Sequence, residues 1–212
     1  MALKYDASKL AILLPRDGAQ DGTRKIVKYL SAKDITAVQA AYVLGTIHHE
    51  TAGWMQPIRE GAVRYGPNYT NDQSIRAVTA IYNKGIIRTN YALPDGPYNQ
   101  SYYGRGLVQI TWYDNYKRFT DLLGVPLDKN PDLALDWYTS LDITYEGMSN
   151  GVFRPGKGTL HDITSVNGYN LARELINGDR KRIGANNIPV GRDIANVAQQ
   201  FLPALTEKKS WF

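Results

Sequence analysis

Residues 31–60 read SAKDITAVQAAYVLGTIHHETAGWMQPIRE, and the reading of this stretch decides the fold. Ile35, Val38, Ala41, Tyr42 and Ile47 recur at helical intervals, which predicts a helix running to about Glu50. Gly53 and Pro57 then punctuate the chain and let it turn back on itself. Glu60 closes the stretch, ten residues after Glu50, and His48 and His49 stand directly before Glu50.

The two glutamates have different expected environments. Glu50 lies at the C-terminal, negative end of a helix dipole, which disfavours its charged form. Ile47, Trp54 and Met55 are apolar neighbours that would desolvate it in the same direction. A carboxyl group held protonated is what a general acid needs. Glu60 is flanked by Arg59 and Arg64 and is expected to stay ionised. One neutral and one charged carboxyl is the division of labour of glycoside hydrolysis. A turning linker of this length places two carboxylates about 5 to 10 Å apart, which spans both retaining and inverting chemistry. A solvated pair of glutamates on a surface loop fits the same spacing. A metal site fits less well, because H-H-E is not the H-E-x-x-H arrangement and the next histidine is His161. The histidines are expected to orient Glu50 or its neighbours, or to be satisfied at an interface.

Further helices are expected in DQSIRAVTAIYNKG, with Asp72 as cap, in TWYDNYKRFTDLLG, ending at Gly124, and in NPDLALDWYTSLDITYEGM, opened by Pro131. GYNLARELIN and GRDIANVAQQFLPAL complete the set. Strand signals are few, and loops rich in Gly, Pro and Asn fill 85–106 and 149–160. With no repeat or linker, residues 1–212 read as one mainly α domain with a loop-lined cleft.

A second constellation is NQSYYGRGLVQITWYDNY, residues 99–116. Gly104 and Gly106 let the backbone approach a ligand or a neighbouring element closely. Val108 and Ile110 alternate with Gln109 and Thr111, so an extended segment would bury one pair and present the other. Asn115 follows Thr111 by one helical turn, and Tyr102 and Tyr103 offer stacking and hydroxyl contacts. A tight glycine turn with a half-buried strand would look the same.

Taken in order, HHETAG with Glu60 downstream, YYGRGLVQITWYDNY, and ELINGD followed by VGRDIA resemble the signature segments of glycoside hydrolase family 19. The resemblance runs from about residue 36 to 205. It implies a lysozyme-like, two-lobed helical domain with a central substrate cleft and few short strands. It implies an inverting mechanism with Glu50 as general acid, Glu60 as base and Thr111 holding the attacking water. Gln109, Asn115 and Asn177 match sugar-contacting positions, Arg192 a supporting arginine, and Tyr102 and Tyr103 cleft tyrosines. No metal or cofactor is implied. Asp179 departs from the family's INGG segment and leaves the backbone near Asn177 open.

Composition narrows the setting. There is no cysteine, so no disulfide or thiolate-zinc site exists. The net charge is +5, which suits anionic envelope polymers and is a small excess for this length. The apolar run LAILLP is far too short to span a bilayer and lacks the flanks of a signal peptide. These features lead to the expectation of a monomeric phage endolysin that binds no nucleic acid and does not insert stably into a membrane. It would cleave peptidoglycan β-1,4 bonds, wait in the host cytoplasm, and reach the wall through a partner pore-former. The alternative is a bacterial or prophage chitinase. Rival readings are a glycan-binding module, a metal-dependent amidase using His48, His49 and His161, and a lytic transglycosylase for which Glu60 is dispensable.

Overall fold

The computed structural model describes residues 3–10, 13–61 and 66–207. In chain order the elements are β1 (Leu3–Tyr5), α1 (Ala19–Leu30), α2 (Ala37–Glu50), β2 (Ile58–Arg59), α3 (Asn71–Asn83), β3 (Arg105–Gly106), α4 (Tyr113–Leu123), α5 (Trp137–Ser149), α6 (Tyr169–Ala172), α7 (Val190–Phe201) and β4 (Leu205–Glu207). Single 3-10 turns join several of them. The described residues are mainly helical with few short strands, as expected, and none of their helices is long and apolar enough to cross a membrane.

The chain divides into two compact units: residues 1–49, 53–55 and 144–212, and residues 50–52 and 56–143. In the first, α2 is the central helix. Gln39 through Ile47 are all buried, so its apolar residues point in every direction. At Gly45 the backbone lies so close to α7 that an added Cβ would sit 2.8 Å from the Ala198 Cβ. The Tyr169 hydroxyl donates to the Val38 carbonyl at 2.8 Å, and its ring packs on Tyr42. The segment before β4 brings the two ends together, with Leu3 opposite Glu207 and Tyr5 opposite Leu205.

The second unit holds β2 and β3 as an antiparallel pair, with Ile58 opposite Gly106 and Arg59 opposite Arg105. Helix α3 is capped two residues earlier than expected. Its cap is Thr70, which exchanges hydrogen bonds with Gln73 in a capping box, and not Asp72. Helix α4 ends at Gly124 in the left-handed conformation, as the sequence predicts. The stretch opened by Pro131 is two elements and not one helix. A 3-10 turn at Pro131–Leu135 breaks at extended Asp136, whose carboxylate then caps Thr139 at the start of α5. A local cap here outcompetes continuation of the helix.

Candidate active site

Glu50 is the last residue of α2 and is half-buried, as its helical spacing predicts. The helix stops in a Schellman-type turn. Ala52 takes the left-handed conformation at φ 49°, and the Gly53 N–H donates to the His48 carbonyl at 2.7 Å. Met55, at φ 53°, turns the chain again before β2. The ten-residue linker therefore folds back and returns Glu60 to the neighbourhood of Glu50. The Glu50 charge is one of the influences acting on Glu60.

Glu60 follows β2 and is held by its backbone and by both carboxylate oxygens. Its backbone N–H donates to the Gly104 carbonyl at 2.7 Å. The Gly104 N–H donates back to Oε2 at 2.8 Å, and the Tyr91 phenol donates to Oε1 at 2.6 Å. Burial pushes the Glu60 carboxyl above the usual range. The donors at Tyr91 and Gly104 act the other way, the nearby Glu50 charge adds to the rise, and the net direction is upward. The flanking arginine Arg59 is not what sets this direction. The Arg59 guanidinium turns to the Asp132 carboxylate, at 2.6 Å, and to the Tyr69 carbonyl. Arg64 lies outside the described residues.

The segment after Gly106 is a tight turn and not an extended strand. Arg105 and Ile110 bridge across it, and Gln109 has φ 52°. Val108 and Ile110 are buried all the same. The Gln109 amide donates to the carbonyls of Ile58 and Gly106, both at 2.9 Å. Its Oε1 flanks Glu60 Oε2: a Cβ built on Gly104 would lie 2.9 Å from the first and 3.0 Å from the second. Thr111 donates its hydroxyl to the Gln109 carbonyl at 3.1 Å, and Asn115 donates its amide to the Thr111 carbonyl at 2.7 Å. Thr111 and Asn115 thus meet, as their spacing predicts, and both keep a side-chain oxygen able to accept a hydrogen bond.

Tyr102 and Tyr103 do not line a surface. Their exposures are 1% and 0%, so neither ring can stack on a ligand. The Tyr102 hydroxyl is spent on the Asp128 carbonyl and the Tyr103 hydroxyl on the Asn71 side chain. The buried Arg105 guanidinium draws Tyr103 inward, lying 3.6 Å from its ring centre.

In the other unit Asn177 is exposed. Asp179, the departure from the family pattern, accepts from Arg173 at 2.7 Å and from Arg182 at 2.9 Å and pins the turn after Asn177. Arg192 is exposed on the first turn of α7. Its neighbour Asp193 faces His49 Nδ1 at 3.4 Å. His48 is held against Phe201, and burial lowers its pKa. Both histidines are thus engaged by neighbouring side chains, one of the two roles expected for them. No three His, Asp or Glu side chains gather as a metal-binding group among the described residues.

Tyr91, which holds Glu60, and its ring partner Trp112 have no role predicted from the sequence. Tyr91 sits in the long 85–106 segment, where neither period nor motif marks it. Burial and then the Glu60 charge push its phenol up, so it stays a donor. Trp112 packs on Tyr91 with ring centres 5.0 Å apart. Chemically, this is a desolvated carboxylate with fixed donors, within reach of a second carboxylate's charge and with the Gln109 amide oxygen adjoining.

Residues 23–145 match the model of the class I chitinase family. An endochitinase of Arabidopsis thaliana is 43% identical over 57 residues, which are 25% of this chain and 20% of that protein. An endochitinase of Carica papaya is 30% identical over 105 residues, or 48% of this chain and 38% of the relative. The matched stretches are thus well under half the length of these relatives. Chitinase C of Streptomyces griseus HUT6037 has the same fold, with a TM-score of 0.55 and 25% identity over 94% of this chain and 76% of that one.

Proposed function

Since the chain belongs to the class I chitinase family of glycoside hydrolases, family 19, we propose that it hydrolyses β-1,4 bonds between N-acetylglucosamine units of a chitin-type glycan. Glu50 gives its proton to the glycosidic oxygen as the bond from C1 to that oxygen breaks. A water accepted by Glu60 and held by Thr111 loses its proton to Glu60 as its oxygen bonds to C1. Attack comes from the face opposite the leaving group, so the anomeric configuration inverts. The observation that carries this reading is the Glu60 carboxylate, desolvated, fixed by two donors, and placed where Glu50's charge acts on it. A base whose pKa is raised toward the working pH is the stronger proton acceptor. The names of the matched relatives, all endochitinases, support chitin over other polymers.

A second reading is peptidoglycan, which presents the same linkage with a lactyl ether on alternate sugars. The net charge of +5 supports it, since bacterial envelopes are anionic. In that reading the protein is an endolysin that accumulates in a host cytoplasm and depends on a membrane pore-former for release.

The test is digestion of colloidal chitin and purified peptidoglycan, with product ends and anomeric form read by mass spectrometry and NMR. Glu50→Gln is expected to lose activity by about four orders of magnitude or more, and Glu60→Gln by at least about two, as for general acid and base groups. Wild-type rates from either variant would remove that residue from the mechanism. Anhydro sugar ends would replace hydrolysis by transglycosylation.

A further inference from the structure

Trp112 follows Thr111 directly and stands at the N-cap of α4 with φ 75° and ψ 140°. A bulky residue at positive φ is strained, and such strain gathers at functional sites. The conformation is pinned from both sides. Its N–H donates to the Tyr102 carbonyl at 2.8 Å, and its own carbonyl accepts from the N–H groups of Asn115 and Tyr116. The pinned backbone sends the indole toward Tyr91, whose phenol holds Glu60. Yet Trp112 remains 43% exposed, while Tyr102, Tyr103 and Tyr116 nearby are buried. A tryptophan serving only the core would be covered, and a surface tryptophan serving nothing would not need a strained backbone to hold it.

We infer that the exposed part of the Trp112 indole is a stacking platform for one N-acetylglucosamine ring of the glycan, linked to the Glu60 carboxylate through Tyr91. A β-1,4-linked pyranose has its substituents equatorial and presents two flat faces of axial C–H groups. Those faces carry weak positive charge and match the negative face of an indole. Tyr91 backs the platform and at the same time fixes Glu60, so a ring seated on Trp112 is registered against the base through a single intervening side chain. The inference rests on the glycan-hydrolysing reading above.

The experiment separates the two. Glu60→Gln serves as a slow parent, and its affinity for the N-acetylglucosamine hexamer is measured by isothermal titration. Trp112→Gly removes the ring at a φ that glycine adopts without strain, and Trp112→Leu keeps apolar bulk over Tyr91 without an aromatic face. Both, in the Glu60→Gln background, are expected to weaken hexamer binding about ten- to a hundredfold. Far-ultraviolet circular dichroism should be unchanged. Trp112→Leu binding within twofold of the parent would overturn the platform, since a mere apolar cap over Tyr91 survives that change. Failure of the parent itself to bind the hexamer would overturn it too. Full hydrolytic activity in Glu60→Gln would instead sink the base assignment, leaving the affinity comparison to judge Trp112.

Discussion

The Tyr91 phenol donates to Oε1 of Glu60 at 2.6 Å, so a residue from the long 85–106 segment fixes the carboxylate that follows β2. Burial is the largest influence on Glu60 and raises its pKa, while the Tyr91 hydrogen bond is the strongest of those opposing the rise. With Glu60 as base, the acid limb of kcat/KM therefore lies above glutamate's ordinary value of 4.5. Tyr91→Phe deletes a hydrogen bond to a charged group, worth about 1.5–3 kcal/mol, and moves that limb to higher pH by about one unit or more. The check is a pH–rate profile of both proteins. A limb that stays put or moves down would show that the phenol does not act on the reacting carboxylate. The same raised pKa has a stability consequence. Protonated Glu60 suits the fold, so its contribution is present below about pH 4.5 and is lost as pH rises through the folded-state value.

Gly104 has no room for a side chain. Its Cβ would lie 3.0 Å from Glu60 Oε2 and 2.9 Å from Gln109 Oε1, both ends of side chains that can move. Gly104→Ala should therefore displace the carboxylate and spare the fold. We expect activity to fall about a hundredfold, since misplacement of a reacting group by 1 Å costs that much. The melting temperature should drop by no more than a few degrees. Retained activity would mean that the Gly104 approach does not position Glu60.

Much of this is legible in the sequence, and the side-chain partners that are not share a cause. The helical period of Ile35 to Ile47 and the stop after Glu50 are local signals, and α2 appears where they place it. Gly124 ends α4 for the same local reason. Gly104 and Gly106 were recognisable as points of close approach, though not what approaches them. The misreadings concern partners distant in sequence. Arg59 looks like the neighbour that keeps Glu60 ionised until Asp132, seventy-three residues on, claims it. Tyr102 and Tyr103 look like cleft residues until the Asp128 carbonyl and Asn71 take their hydroxyls. Tyr91 has no local signature at all, because its role is set by a carboxylate thirty-one residues earlier. Helix α1 is itself a local signal, with Ala19, Thr23, Ile26, Val27 and Leu30 at helical spacing on its buried face.

Asp132 bridges two arginines, with Oδ2 2.6 Å from Arg59 and Oδ1 2.8 Å from Arg105. Arg105 is 3% exposed, so removing its partner leaves a buried charge uncompensated. Asp132 itself is partly exposed, and water offsets some of the loss. Asp132→Asn is expected to cost about 2 kcal/mol, below the usual penalty for a fully buried pair. Burial pushes the Asp132 carboxyl up, but the Arg105 and Arg59 charges outweigh it and the net direction is downward. The stabilisation is thus present above the unfolded value of about 3.8 and fades as pH falls through the lower folded value. Denaturant unfolding should show a clear gap between the two proteins at pH 6 and a smaller one near pH 2. An equal gap at both would place the stabilisation in shape and not in charge.

Ala52 closes α2 in the left-handed conformation that glycine usually fills, at φ 49°. Its Cβ is strained there, by about 1 kcal/mol against glycine. The turn it makes is what carries the chain from Glu50 back toward Glu60, so the strain sits between the two carboxylates. Ala52→Gly keeps the turn and relieves the strain, against a smaller loss from greater freedom in the unfolded chain. The expected result is a melting temperature raised by about 1–3 °C, with kcat within about twofold of the parent. Ala52→Val, which is branched at Cβ and intolerant of positive φ, should lower both stability and kcat. If glycine lowered the melting temperature, the Ala52 methyl would be held by favourable packing that exceeds its backbone cost.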